Sequence, residues 1–241
     1  MKRLFGGMAV VALAMGIATE AVSAQLDGNP VYAVNPGVGV TLNADYGRGL
    51  NDESGETNYY GARVVLGVSA VSFWGGVGQV DMRNPDPTVD DTEVSWGGGA
   101  AINLIKAPLV PVSLTLQLGA ASVGCGDDCN DIRFVAGPAL RINIPTQIIG
   151  IEPWVMPRYH MERNSSGDES VMQHAFGVSG GLNIRLPMGL GFHIVVDYAD
   201  LPDAIEGTFA IPESSPVTGG IGLHYKIAVP SLGLPLVPVL N

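Results

Sequence analysis

Two histidine–carboxylate pairs and one cysteine pair are the residues here whose types and spacing could carry chemistry. His193 and Asp197 stand four apart; on an extended strand that places them on one face but ~13 Å from each other, too far for a hydrogen bond. His160 and Glu162 are two apart on one face, near enough for a base and the carboxylate that orients it. Ser179 could approach them from the next strand as a hydrolytic nucleophile. All these residues fall within apolar-patterned segments rather than loops, so interior ion pairs are the plainer expectation, and no catalytic residue is assigned. Cys125-Gly126-Asp127-Asp128-Cys129 closes a short loop if oxidised, and a disulfide is the expected state in an oxidising compartment. Metal binding by the two thiolates with Asp127 and Asp128 is the sharper alternative, but no histidine stands nearby in sequence. Asp86, Asp90, Asp91, Asp127, Asp128, Asp131 and Asp168 could collect divalent cations weakly through carboxylate oxygens, with Asp90, Asp91, Asp127 and Asp128 as the expected points of contact. None of them has the ordered spacing of a calcium loop, so no dedicated metal site and no cofactor is expected.

The elements that position these residues follow from composition and period. The chain has 12 Lys+Arg against 23 Asp+Glu, a net charge of −11, and is 46% hydrophobic with only 15% charged residues. Nucleic acid is excluded as a partner, because neutralising phosphates needs a surplus of basic residues. Disorder is excluded by the apolar content, and a coiled coil by 33 Gly and 17 Pro. Two cysteines cannot make a disulfide framework. Residues 1–24 carry Lys2 and Arg3, an apolar run over 8–18, and Ala21-Val22-Ser23-Ala24 before Gln25, the pattern of a cleavable export signal. The run is well short of the ~20 apolar residues that span a bilayer.

Beyond the signal, period two dominates. Val112, Leu114, Leu116, Leu118 and Ala120 alternate with Ser113, Thr115, Gln117 and Gly119, so one face of a strand is apolar and the other polar or small. The same reading covers 38–46, 60–68, 94–104, 134–144, 151–161, 176–186, 190–198 and 221–227. Only 71–80 is ambiguous, because Phe73 and Trp74 are adjacent and claim opposite faces. Ten strands are therefore expected, with eight or twelve as the alternatives. Connections after even-numbered strands are short, at 69–70, 106–109, 145–148 and 187–189. Those after odd-numbered strands, at 48–57, 81–93, 124–133, 162–170 and 200–215, hold most of the acidic residues but only Arg48, Arg83, Arg133 and Arg163 of the basic ones.

Alternation alone does not separate a soluble sandwich from a membrane barrel, but three features do. Gly97, Gly99, Ala101, Gly177, Ser179 and Gly181 crowd the non-apolar face, as a narrow closed barrel requires. Arg63, Arg141, Glu152, Arg158, His160, Arg185, His193, Asp197, His224 and Lys226 fall on that same face with mixed signs that allow pairing. Tyr46, Tyr60, Trp96, Tyr159, Tyr198 and Tyr225 sit toward strand ends on the apolar face, as interfacial girdles do. Strands in lipid must close on themselves, and an even count brings both termini to the short-turn end.

In these features, and in Gly220-Ile221-Gly222-Leu223-His224-Tyr225 near the end, the chain resembles the small outer-membrane β-barrel proteins of Gram-negative bacteria. The resemblance implies an all-β, closed antiparallel transmembrane β-barrel with short periplasmic turns and longer acidic extracellular loops. It also implies the outer membrane as location, lipid and lipopolysaccharide as surroundings, and the barrel-assembly machinery as the partner that reads the last strand. The chain departs from the pattern by continuing past that strand through Pro230, Pro235 and Pro238. The expected organisation is a signal at 1–24, an N-terminal periplasmic segment at 25–35, the barrel at 36–227 and a Pro-rich tail at 228–241. A non-enzymatic structural, adhesive or surface-interaction role is the leading reading. A narrow pore lined by Arg63, Arg141, Arg158 and Arg185, favoured by the low side-chain volume of the many glycines, is the first alternative. A hydrolase at the outer rim is the second, and a soluble secreted sandwich the last.

Overall fold

The computed structural model describes residues 31–34, 38–55, 57–81, 92–106, 111–124, 129–146, 148–166, 169–206, 209–227 and 229. Its strands are β1 (Gly39–Gly49), β2 (Asn58–Val68), β3 (Val71–Asp81), β4 (Thr92–Lys106), β5 (Val112–Gly124), β6 (Cys129–Ile142), β7 (Ile144–Pro145), β8 (Gly150–Ser166), β9 (Glu169–Arg185), β10 (Leu190–Asp200), β11 (Ala204–Glu206), β12 (Phe209–Ile211) and β13 (Val217–Ile227). Ten of them run β6-β5-β4-β3-β2-β1-β13-β10-β9-β8, and β6 pairs again with β8, so the sheet closes into an antiparallel barrel. The two residues of β7 continue β6 along β8, and β11 with β12 form a separate small hairpin. In the closing β6–β8 ladder, pairing skips from Ala136↔Tyr159 to Leu140↔Val155. Pro138 and Pro157 lie within that gap, and neither has an N–H to give to the ladder.

The outer face is apolar and open. Leu42, Val64, Leu66, Phe73, Val77, Ile102, Leu116, Leu118, Val178, Ile194, Ile221 and Leu223 are all exposed. No water-soluble domain leaves so continuous an apolar belt uncovered; lipid is the solvent this surface fits. An 11-residue strand, rising ~3.3 Å per residue and tilted by ~40°, stands about 28 Å tall, close to the ~25 Å apolar band of such barrels. Tyr60, Trp96, Tyr159, Tyr198 and Tyr225 are exposed on the same face. Tyr46 packs on Tyr60 at 5.2 Å between ring centroids, and Tyr159 meets Phe176 edge-on at 5.9 Å.

The ambiguous third strand is regular. Phe73 turns outward, 44% exposed, while Trp74 turns into the lumen. Gly99 opposes Trp74 in register, and a Cβ there would press on the indole and on the β5 backbone. Six more lumen glycines serve in the same way: Gly61 and Gly78 seat the Tyr59 ring, Gly177 seats Arg158, Gly181 seats Trp154, Gly191 seats His224 and Gly222 seats His193. At these positions low side-chain volume is not open space, so these glycines do not widen a passage. Each glycine receives a large side chain from the adjoining wall. Gly78→Ala is accordingly expected to cost about 1–3 kcal/mol by overpacking, seen as a lower urea midpoint of the folded, heat-shifted gel form. The double variant Tyr59→Leu with Gly78→Ala is expected to regain most of the loss, and an unchanged midpoint in the single variant would contradict the packing.

Candidate functional site

The interior holds four charged clusters and one stretch of polypeptide. Asp45 on β1 accepts bonds from Arg63 on β2 at 3.1 Å and 3.4 Å and from His193 on β10 at 2.8 Å, its side chain fully enclosed. Nearer the long-loop end, Arg158 on β8 grips Asp197 on β10 with two nitrogens, at 2.7 Å and 2.9 Å. Ser179 on β9, between those strands, donates to Asp197 and accepts from Arg158. At the outer end Glu162 pairs with Arg133 at 3.1 Å and with His160 at 3.2 Å. At the short-turn end Glu152 pairs with Arg185 at 3.2 Å. The His193 and His224 rings stack at 5.8 Å between centroids.

Arg63, Arg141, Glu152, Arg158, His160, His193 and Asp197 are buried inside the barrel, and Arg185, His224 and Lys226 line its short-turn end; the separation of His193 from Asp197 is the one their spacing predicts. His193 and Asp197, four apart, serve different clusters, because the next inward positions on neighbouring strands stand closer than the next position but one on the same strand. Ser179 is bonded to Asp197 and Arg158, which corrects the expectation that it approaches His160. Asp45, Glu162, Arg133, Gln117 and Tyr59 belong to the interior and were not among the expected network. The signal that could have found the first four is their placement on the polar face of an alternating strand. Cys125, Asp127 and Asp128, with Asp86, Asp90, Asp91 and Asp168, lie outside the described residues, as do the side chain of Cys129 and the export signal.

The remaining occupant is residues 31–34. They fall within the 25–35 segment expected to be periplasmic, yet Val31, Tyr32, Ala33 and Val34 are each at least 93% buried, inside the lumen. Val31, Tyr32 and Ala33 pack with Val135, Ala139, Trp154, Met156 and Val195 of the inner wall. Gln117 on β5 binds the segment from both ends of its amide: Nε2 donates to the Tyr32 carbonyl at 2.9 Å, and Oε1 accepts from the Val34 N–H at 2.7 Å. Arg141 on β6 donates to the Ala33 carbonyl at 2.9 Å. The Tyr32 ring lies under the Arg63 guanidinium, 4.4 Å from its centroid, and meets His193 edge-on at 4.8 Å. The physical reason for a lumenal segment is geometric. About eight strands give an interior that side chains alone can fill, and a ten-strand barrel encloses more.

Two cavities flank this filling. One of about 310 Å³ opens at the short-turn end, lined by Tyr32, Val34, Arg185, His224 and Lys226 among others. Another of about 250 Å³ lies at the long-loop end, lined by Arg133, His160, Glu162, Gln173 and Thr218 among others. His160 Nδ1 is buried and makes no bond among the described residues. With Nε2 turned to Glu162, the ring has the orientation of a base, but with its free nitrogen enclosed by protein. Among the described residues no group of three or more His, Cys, Asp or Glu is arranged to hold a metal ion.

No protein-family profile and no curated protein matches the sequence. Among solved structures the chain is similar to the N-terminal β-barrel domain of Pseudomonas aeruginosa OprF (11% identity, 80% of this chain and 100% of that one, TM-score 0.37). It is also similar to the outer membrane protease OmpT of Escherichia coli (7%, 79% and 94%, 0.38) and to the beta domain of the Bordetella autotransporter BrkA (11%, 78% and 99%, 0.40).

Proposed function

We propose that the protein is an integral β-barrel of the bacterial outer membrane, exported by residues 1–24, whose lumen is sealed and whose work lies at its surface. That role is structural, adhesive or one of surface interaction, with no catalytic activity. The observation that carries this reading is the segment at 31–34, bonded by Gln117 and Arg141 in the middle of the barrel. The apolar outer belt with its aromatic girdles supports lipid and lipopolysaccharide as its surroundings. The acidic long connections give the outer end a character suited to divalent cations and unsuited to nucleic acid. The terminal strand β13 offers alternating apolar and aromatic positions to the barrel-assembly machinery.

The test is conductance in a planar bilayer, using protein whose gel mobility shifts on heating. No steady single-channel current is expected. A steady current would favour the narrow-pore reading instead.

The His160–Glu162 contact favours one second reading, hydrolysis at the outer end. Burial of His160 Nδ1 and engagement of Ser179 weigh against it, since a base must reach the proton it takes. Incubation with peptide and lipid substrates is expected to give no turnover. Turnover lost in His160→Gln would establish the hydrolase.

A further inference from the structure

We propose that the lumen is a binding site for one extended, uncharged peptide strand, that residues 31–34 fill it as a displaceable ligand in cis, and that vacating it opens the barrel. The proposal rests on the sealed-barrel reading and adds what makes and breaks the seal.

Among the described residues, the polar bonds between wall and segment join wall side chains to the segment's main chain. Gln117 reads a carbonyl and an N–H two residues apart, and Arg141 reads the carbonyl between them. This is how a groove recognises an extended backbone whatever its side chains. One side chain is read as well. Tyr32 enters a slot between the Arg63 guanidinium and the His193 ring, which favours an aromatic residue through its π-face and edge. Its hydroxyl makes no bond among the described residues, so the slot selects the ring and not the phenol oxygen. The neighbours Val31, Ala33 and Val34 are small or medium apolar groups. The site therefore fits an apolar strand with one aromatic residue.

Three features make the segment removable. It carries no charge, so its departure strands no ion. The slot is held without it, because Asp45 binds both Arg63 and His193 from the wall. Arg141, by contrast, is only 2% exposed, and its Nε and Nη1 make no bond among the described residues while the segment is in place. Water entering a vacated lumen would satisfy those donors, offsetting part of the bonds lost from the segment. Occupied and vacant states are thereby brought closer in free energy than a core segment and its cavity would be. The short-turn cavity, bounded by Tyr32, Ala33 and Val34, would then extend into the space they leave.

The test uses the full chain. Tyr32→Ala combined with Val34→Pro removes the ring and the N–H that Gln117 receives while leaving every wall residue intact. In folded, heat-shifted protein this variant is expected to bind a fluorescent peptide of residues 30–34 that the wild type does not bind. Adding Gln117→Leu should weaken that binding about 10-fold or more, since two hydrogen bonds are lost. In a bilayer the variant should show openings that the peptide closes and that a peptide with Asp in place of the tyrosine leaves open. Tyr32→Phe should behave as wild type. Failure of the peptide to bind the folded variant overturns the proposal, as does binding that ignores Gln117→Leu. A steady current through the wild type would instead defeat the sealed-barrel reading, and peptide binding to the variant, measured without current, would still decide the site.

Discussion

Asp45→Ala is expected to be the most damaging single substitution in the barrel. Its carboxylate accepts two bonds from Arg63 and is the partner of His193 Nε2, with no exposed surface of its own. Removing it leaves a guanidinium enclosed with its charge unmatched, which costs about 3–5 kcal/mol. The loss should appear as a lower urea midpoint of the heat-shifted form. A second effect follows from position. Arg63 and His193 flank the Tyr32 ring, so loosening them loosens the lumen segment, and Asp45→Ala should also leak in a bilayer. Asp45→Asn, which keeps the shape and one acceptor, should fall between the two. A loss below about 1 kcal/mol would mean that lumen water already solvates Arg63 and that the pair resembles a surface contact.

Asp197→Ala should destabilise by a comparable amount without leaking. The Arg158 side chain has no exposed surface and gives two bonds to this carboxylate, while Ser179 joins the pair from the strand between them. The cluster thus ties β8, β9 and β10 through side chains as well as through the ladder. Arg158 gives its bonds to Asp197, to Ser179 and to the Tyr198 carbonyl, all on the wall, so the seal should hold as long as the barrel does. Replacing both members, Arg158→Met with Asp197→Leu, should recover most of the stability, because an apolar pair of similar volume avoids the desolvation that the ions must overcome. If the double variant were no better than Asp197→Ala, packing and not the unmatched charge would be the source of the loss. The contrast with Asp45 separates the wall's two functions: both clusters hold strands together, and only the one at Tyr32 holds the segment.

Which face of each strand turns inward was legible from the residues alone, since successive side chains of an extended chain must point to opposite sides. Arg63, Arg141, Glu152, Arg158, His160, Arg185, His193, Asp197, His224 and Lys226 could be placed on that ground, and so could the outward aromatics. The count of ten strands followed from where turns interrupt the alternation. Phe73 and Trp74 mark where local pattern runs out: both are apolar enough for the outer face, and only the space above Gly99, a residue on the next strand, admits the indole to the lumen. Partnership was equally beyond local pattern. Asp45 meets Arg63 and His193 because closure and register bring positions 18 and 148 residues away to its side, and no spacing within one strand encodes that. The lumen segment is the furthest case. Residues 31–34 are apolar but too short a run to show a period, and what draws them inside is the volume that ten closed strands enclose and their side chains leave unfilled, a property of the whole barrel and of no segment within it.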